Sequence, residues 1–164
     1  MPTREPVGHM TLWDWAVLTY ARPGAEALCL GLQDGHGQCV SDLLWAAWAA
    51  DAGREVGDAR RAHAAALARA WEGAVLGPLR SARRALRQPV TGVDAAGQDG
   101  LRTRLQAEEL AAERLLLEAL DAMTPAGAGE PIGLDQALDA AAKAWGDPPP
   151  AALLEALGRA FSNA

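Results

Sequence analysis

DGLRTRLQAEELAAERLLLEAL, residues 99–120, carries a periodicity that a strand cannot satisfy. Leu101, Leu105, Ala112, Leu116 and Leu120 recur at helical intervals along one seam, and Arg104 with Glu108 and Arg114 with Glu118 stand four apart as opposite charges. Asp99 sits where an N-cap belongs. At about 1.5 Å per residue this helix spans roughly 33 Å, the width of a small domain.

Working outward, composition extends the same reading. The chain has 164 residues, among them 38 Ala and 23 Leu, while Val, Ile and Thr together supply only 14 β-branched residues. A sheet has little to be built from. The expected fold class is all-α, a multi-helix bundle of about five to six helices with a C-terminal helical pair. Six of the eight aromatic residues are Trp, so a core filled by small Ala and medium Leu takes much of its volume from a few indoles.

Before the long helix, Thr11 with Asp14 three residues on forms a capping box that opens a helix to Ala21. Arg22-Pro23-Gly24 breaks it. Pro23 is placed to open a second helix through Leu28, Cys29 and Leu32, apolar nearly all round and therefore expected to be buried. Gly35 and Gly37 end that helix in a turn, Ser41 is expected to cap a third helix carrying Trp45 and Trp48, and Asp58 begins an Ala- and Arg-rich segment. Gly77-Pro78 interrupts this segment as a kink or a fresh start, and Gln88 to Gly100 reads as a loop. After the long helix come a Pro/Gly linker over 124–133 and two short helices, Leu134 to Trp145 and Asp147 to Phe161. The organisation expected is a flexible tail over 1–10, a bundle over 11–123, the linker, and a C-terminal pair over 134–164 that packs on itself or on the main body.

No apolar run is long enough to span a bilayer, and Arg4, Glu5 and two prolines stand where a signal segment would be apolar, so the expected compartment is the cytoplasm. Cys29 and Cys39, ten apart, match neither a redox pair nor a zinc spacing and read as two reduced thiols. The net charge of -6 disfavours a nucleic-acid partner. Yet eight Arg between Arg54 and Arg87 face only Glu55, Asp58 and Glu72, leaving the acidic excess to the rest of the chain. That asymmetry points to an electrostatic face.

The segments Leu12-Trp13-Asp14-Trp15, Tyr20-Ala21-Arg22-Pro23-Gly24, Leu32-Gln33-Asp34-Gly35-His36-Gly37 and Leu43-Leu44-Trp45, with Gly77-Pro78-Leu79-Arg80 through Arg87 and Ala112-Glu113-Arg114, together resemble an uncharacterised proteobacterial family of small proteins. The resemblance covers Thr11 to Leu120 and implies a bacterial, cytoplasmic, helical protein. It carries over no catalytic residue, substrate or cofactor.

Three places are candidates for binding. Asp34 lies at a helix C-terminus, where the macrodipole disfavours a carboxylate by ~0.3 to 1 kcal/mol, so something must compensate. Asp34 either bonds the turn or pairs with an arginine, with His36 at an exposed position tolerant of the left-handed region, or the two form an acid–base or metal site. With no second histidine at ligand spacing, no metal and no cofactor is expected. Trp13 is the one indole whose neighbours Leu12 and Trp15 already fill the buried face of its helix. Arg80, Arg83, Arg84 and Arg87, spaced three, one and three, form either a solvated face or an anion-binding strip. With no Gly-rich phosphate loop, nucleophile elbow or HExxH, the favoured expectation is a protein-interaction module that binds an acidic partner through this strip or through the groove beside the long helix. The alternative is a small-ligand or metal-dependent enzyme at Asp34 and His36. Oligomeric state is left open by the sequence.

Overall fold

The computed structural model describes residues 10–54, 56–126 and 132–162; the expected tail, apart from Met10, and the centre of the expected linker lie outside them. Helices α1 (Leu12–Tyr20), α2 (Ala25–His36), α3 (Val40–Asp51), α4 (Asp58–Trp71), α5 (Gly77–Ala85), α6 (Ala95–Ala122), α7 (Leu134–Trp145) and α8 (Ala151–Ser162) follow in chain order. Among the described residues there is no strand. The chain is all-α, a multi-helix bundle.

The bundle is organised around α3. Every residue from Ser41 to Ala49 is buried, because α1, α2, α4, α6 and α7 all pack against this one helix. Trp45 and Trp48 are 0% and 1% exposed. A buried indole keeps its hydrogen bond. Trp45 Nε1 donates to Thr124 Oγ1 at 2.7 Å, whose hydroxyl donates on to Leu120 O at 2.7 Å, and Trp48 Nε1 donates to Met10 O at 3.1 Å. Thr124, the first residue of the expected linker, is thus fastened into the core.

Thr11 caps α1 as its spacing predicts: its hydroxyl accepts from Asp14 N at 3.1 Å and donates to the Asp14 carboxylate at 2.9 Å. Asp121, in the last turn of α6, accepts from Leu12 N at 2.8 Å and so satisfies another free N–H of α1. Ser41 does not cap α3. Cys39 takes the N-cap position in extended conformation without a side-chain bond, and Ser41 is buried in the first turn.

Gly77-Pro78 opens α5 without breaking the rod. Between α4 and α5 the chain widens into a π turn over Glu72–Leu76 and continues. Proline lacks the N–H an α-helix needs, and its ring collides with the carbonyl four residues back; a π turn redistributes those bonds. Gly77 N donates to Glu72 O there, and a Cβ at position 77 would stand 2.9 Å from that oxygen, so glycine is required by the close approach.

The long helix starts earlier than Asp99. Asp94 is its cap, accepting from Gly97 N at 2.6 Å, and the loop before it shrinks to 86–94. Gln98 clasps that loop, donating to Leu86 O and Gln88 O and accepting from Val90 N at 3.1 Å. Arg114 pairs with Glu118 at 2.7 Å; Arg104 and Glu108 form no pair among the described residues, and Leu101 is 42% exposed, off the buried seam.

The last two helices pack both on each other and on the main body: α7 covers α3 and α4, and α8 covers α2. α8 starts at Ala151, after the three prolines rather than at Asp147. Gly158 faces α7, where a Cβ would meet Leu138 at ordinary contact distance and would displace only the Asp135 carboxylate. Phe161 is 3% exposed and meets Trp15 edge-on at 5.9 Å, and Trp145 Nε1 donates to Gly37 O at 2.8 Å. Phe161→Ala should therefore lower unfolding free energy by about 3 kcal/mol, as other buried Phe truncations do. Urea denaturation checks it; an unchanged midpoint would mean α8 contributes nothing to the core.

Candidate binding groove

α1 and α2 form one wall and α5 with α6 the other of a groove whose two halves meet around Arg80. The inner half, a chamber of about 700 Å³, is lined by apolar side chains that include Trp13, Val17, Tyr20, Leu44 and Leu117. The outer half, about 1120 Å³, is polar and reaches Asp34, Arg84, Arg87 and Thr103. Glu26, Leu30, Glu72, Glu109, Leu110 and Glu113 line both.

The four arginines do not form one water-facing strip. Arg80 is 9% exposed and turned inward, where it pairs with Glu72, with Glu113 at 3.1 Å and with Glu109 at 4.0 Å. Arg83 pairs with Glu109, itself 7% exposed, and that bond holds the guanidinium above its usual range. Arg84 extends outward to Asp34 at 3.1 Å, and Arg87 is exposed on the outer rim without an ion pair among the described residues. The reason is α6: Glu109 and Glu113, four apart, present two carboxylates to the face where α5 docks, and the guanidinium groups of that face turn toward them.

Asp34 is thus compensated by Arg84, one of the two structural roles its position allowed. His36 is the last helical residue of α2 and exposed, while Gly37 (φ 62°) takes the left-handed position; His36 does not line the groove. The structure does not bring Asp34 and His36 to one site. Trp13 does line the chamber, half-buried, with the Arg114 guanidinium 5.2 Å over its ring. Among the described residues no group of three or more His, Cys, Asp or Glu could hold a metal ion.

The match between the chain and known families now has a structural frame. A family model described as a protein of unknown function, DUF2390, matches residues 11–120. The chain belongs to the DUF2390 family. No curated protein and no solved structure matches it. Every residue lining the groove falls within the DUF2390 segment, whereas α7 and α8 lie beyond it. No helix among the described residues is long and apolar enough to cross a membrane.

Several groove residues of this DUF2390 chain escape sequence reading. An α2 apolar all round was expected to be buried, yet only Ala25, Cys29 and Leu32 are; Leu30 is 44% exposed because it faces the groove, and Leu110 opposite is 55% exposed. Burial pushes Tyr20, and above all Cys39, up to about 12, so both hydroxyl and thiol stay protonated at neutral pH. Burial likewise pushes Cys29 to about 12 and raises Glu113, the latter against the opposing pull of Arg80. Asp42, 2% exposed in the first turn of α3, has one oxygen without a partner, and burial raises it to about 7 despite the charge of Arg69.

Arg80 and Arg84 should separate cleanly in stability. Arg80→Met leaves Glu72 and Glu113 without their cation, while Glu109 keeps Arg83, and should cost about 2 kcal/mol. Arg84→Ala breaks a pair whose partners are both more than half exposed and should cost less than about 1 kcal/mol. Chemical denaturation of the two variants checks the order, and equal losses would contradict it.

Asp42 predicts a pH signature. Its carboxyl binds its proton more tightly in the folded than in the unfolded state, so it contributes instability that grows as pH rises from about 4, where the unfolded chain ionises, to about 7. The stability gain of Asp42→Asn over the natural chain should be near zero below pH 4, increase to pH 7 and then level off. Denaturation curves across that range measure it; a pH-independent difference would mean Asp42 is already ionised when buried.

Proposed function

We propose that this chain is a cytoplasmic bacterial protein-interaction module whose groove receives an amphipathic helix from an acidic partner. The observation that carries this reading is the trio Val17, Leu30 and Leu110, large apolar side chains left open on the facing walls of one groove, whereas Leu18, Val90, Val93, Leu101 and Leu115 are exposed outside it. Groove-lining residues on α6 run from Thr103 to Leu117, about 21 Å of helix axis, which suits a guest of about four turns. Apolar anchors of such a guest at helical spacing would meet Leu30, Leu110 and Val17, in the mode by which grooves take helices. Its acidic side chains would meet Arg87 and Arg84 on the outer rim.

An acid–base or metal site at Asp34 and His36 has less support, since Asp34 is engaged by Arg84 and His36 does not line the groove. Of the nucleophiles that line the chamber, Tyr20 and Cys39 are held protonated by burial.

A photo-crosslinking amino acid at position 110, introduced into the full chain in its native cells, should give a discrete adduct that disappears when Leu30→Asp is added. Leu30 is exposed, so that substitution leaves the fold intact, and thermal melting verifies it. An adduct that persists with Leu30→Asp, or none above the background of a crosslinker placed at exposed Val93, would sink the reading.

A further inference from the structure

We infer, resting on the helix-in-groove reading, that Asp34 is a built-in competitor of the guest: its carboxylate occupies Arg84 until an acid in the guest's first turn displaces it and takes Arg84 and Arg87 together. Arg84 then selects the guest, and Asp34 sets how strong an acid-bearing guest must be to enter.

The charges deeper in the groove engage one another. Arg80 bonds Glu72 and Glu113, and Arg83 bonds Glu109. Glu26 stands in the first turn of α2 and Asp34 in its last, about 12 Å apart along the helix axis. What remains at the outer end is Arg84 and Arg87 against Asp34, one positive charge in excess, the amount a single guest carboxylate neutralises.

Asp34 holds its place on Arg84 weakly. Its Oδ1 accepts a single bond from Arg84 Nη2 at 3.1 Å, and the two side chains are 57% and 52% exposed. Water and salt leave such a pair little strength. Asp34 also stands in the last turn of α2, where the helix dipole opposes a carboxylate, while Arg84 stands in the last turn of α5, where the dipole favours a cation. The guanidinium is well placed and its present partner is not.

A guest carboxylate reaches what Asp34 does not. Arg87 N donates to Arg84 O at 3.1 Å, which sets Arg87 one turn beyond Arg84 on the same rim, and no ion pair engages Arg87 among the described residues. A carboxylate between the two guanidinium groups gains charge-assisted bonds from both. The Asp34–Arg84 contact also brings the C-terminal ends of α2 and α5 together. Two negative dipole ends are met best by the N-terminus of a third helix, and the first turn of that helix is where its own dipole favours an acid. One contact thus fixes both which end of the guest lies outermost and which of its turns carries the acid.

The test is selection of a randomised library of helix-favouring peptides, about four turns long, on the immobilised full chain, with Leu110→Asp protein as counter-selection. Peptides that bind the natural chain and not the variant should carry Asp or Glu in the first turn. For one such peptide, Asp34→Ala should tighten binding about two- to fivefold, the range a half-exposed ion pair supports. That gain should vanish when Arg84→Met is added to the protein, and again when the peptide acid is replaced by its amide. A gain that survives Arg84→Met would make Asp34 a source of general repulsion and overturn the competitor assignment. An Asp34→Ala protein that binds no tighter, or groove-dependent peptides without an acidic first turn, would overturn it too, and each of these results leaves the groove standing as a helix site. No groove-dependent peptide at all would overturn the groove reading and the competitor assignment with it.

Discussion

A helix with no face toward water must be enclosed by its neighbours, and α3 is such a helix. Ser41 through Ala49 meet protein in every direction, so the positions of α1, α2, α4, α6 and α7 are set by what they must cover. The indole of Trp45 ties this enclosure shut. Its N–H reaches Thr124, and the Thr124 hydroxyl returns to the end of α6, so the polar edge of the largest buried side chain closes the junction where the chain leaves the long helix. Arg54 Nη1, donating to Thr124 O at 2.8 Å, holds the same junction from the α3–α4 connection. With α3 enclosed, α5 is left outside, and it is held to α6 by charge.

That second attachment shapes the groove. α5 is short and carries three arginines; its buried side chain is Arg80, and its register against α6 follows from Glu109 and Glu113. Buried ion pairs add little net stability but fix geometry, because misalignment strands a charge. The same guanidinium group stands where the polar and apolar halves of the groove meet. α5 therefore works less as a packing element than as a charged hinge post, from which Arg84 and Arg87 project onto the rim.

Fold class was legible because helical periodicity and the scarcity of β-branched residues agree, and because Thr11, Gly24 and Gly37 mark helix ends by local chemistry. Errors occurred where local chemistry offers two solutions. Asp94 and Asp99 are both plausible caps, and the choice falls to Asp94 because Gln98 is needed inside the helix to clasp the preceding loop. Gly77-Pro78 reads as a kink or a fresh start, and α5 does start there, although the π turn before it, which local sequence does not announce, keeps the rod continuous. The candidate site was less legible. Arginines at helical spacing look alike whether they face water or a carboxylate pair on a helix distant in sequence, and nothing near Arg80 announces Glu109 and Glu113. Leu30 likewise reads as core until its helix is seen to line a groove.

The anchoring of the indoles has a consequence for spectroscopy. Trp15, Trp45, Trp48, Trp71 and Trp145 each donate their N–H to a defined partner, in turn a carboxylate, a hydroxyl and three backbone carbonyls. Trp13 alone among them lines the groove, under a guanidinium group rather than a hydrogen-bond acceptor. The intrinsic fluorescence of the chain is accordingly the sum of five emitters in fixed polar settings and one beside the open groove, a reporter at position 13 that an occupant of the groove would perturb.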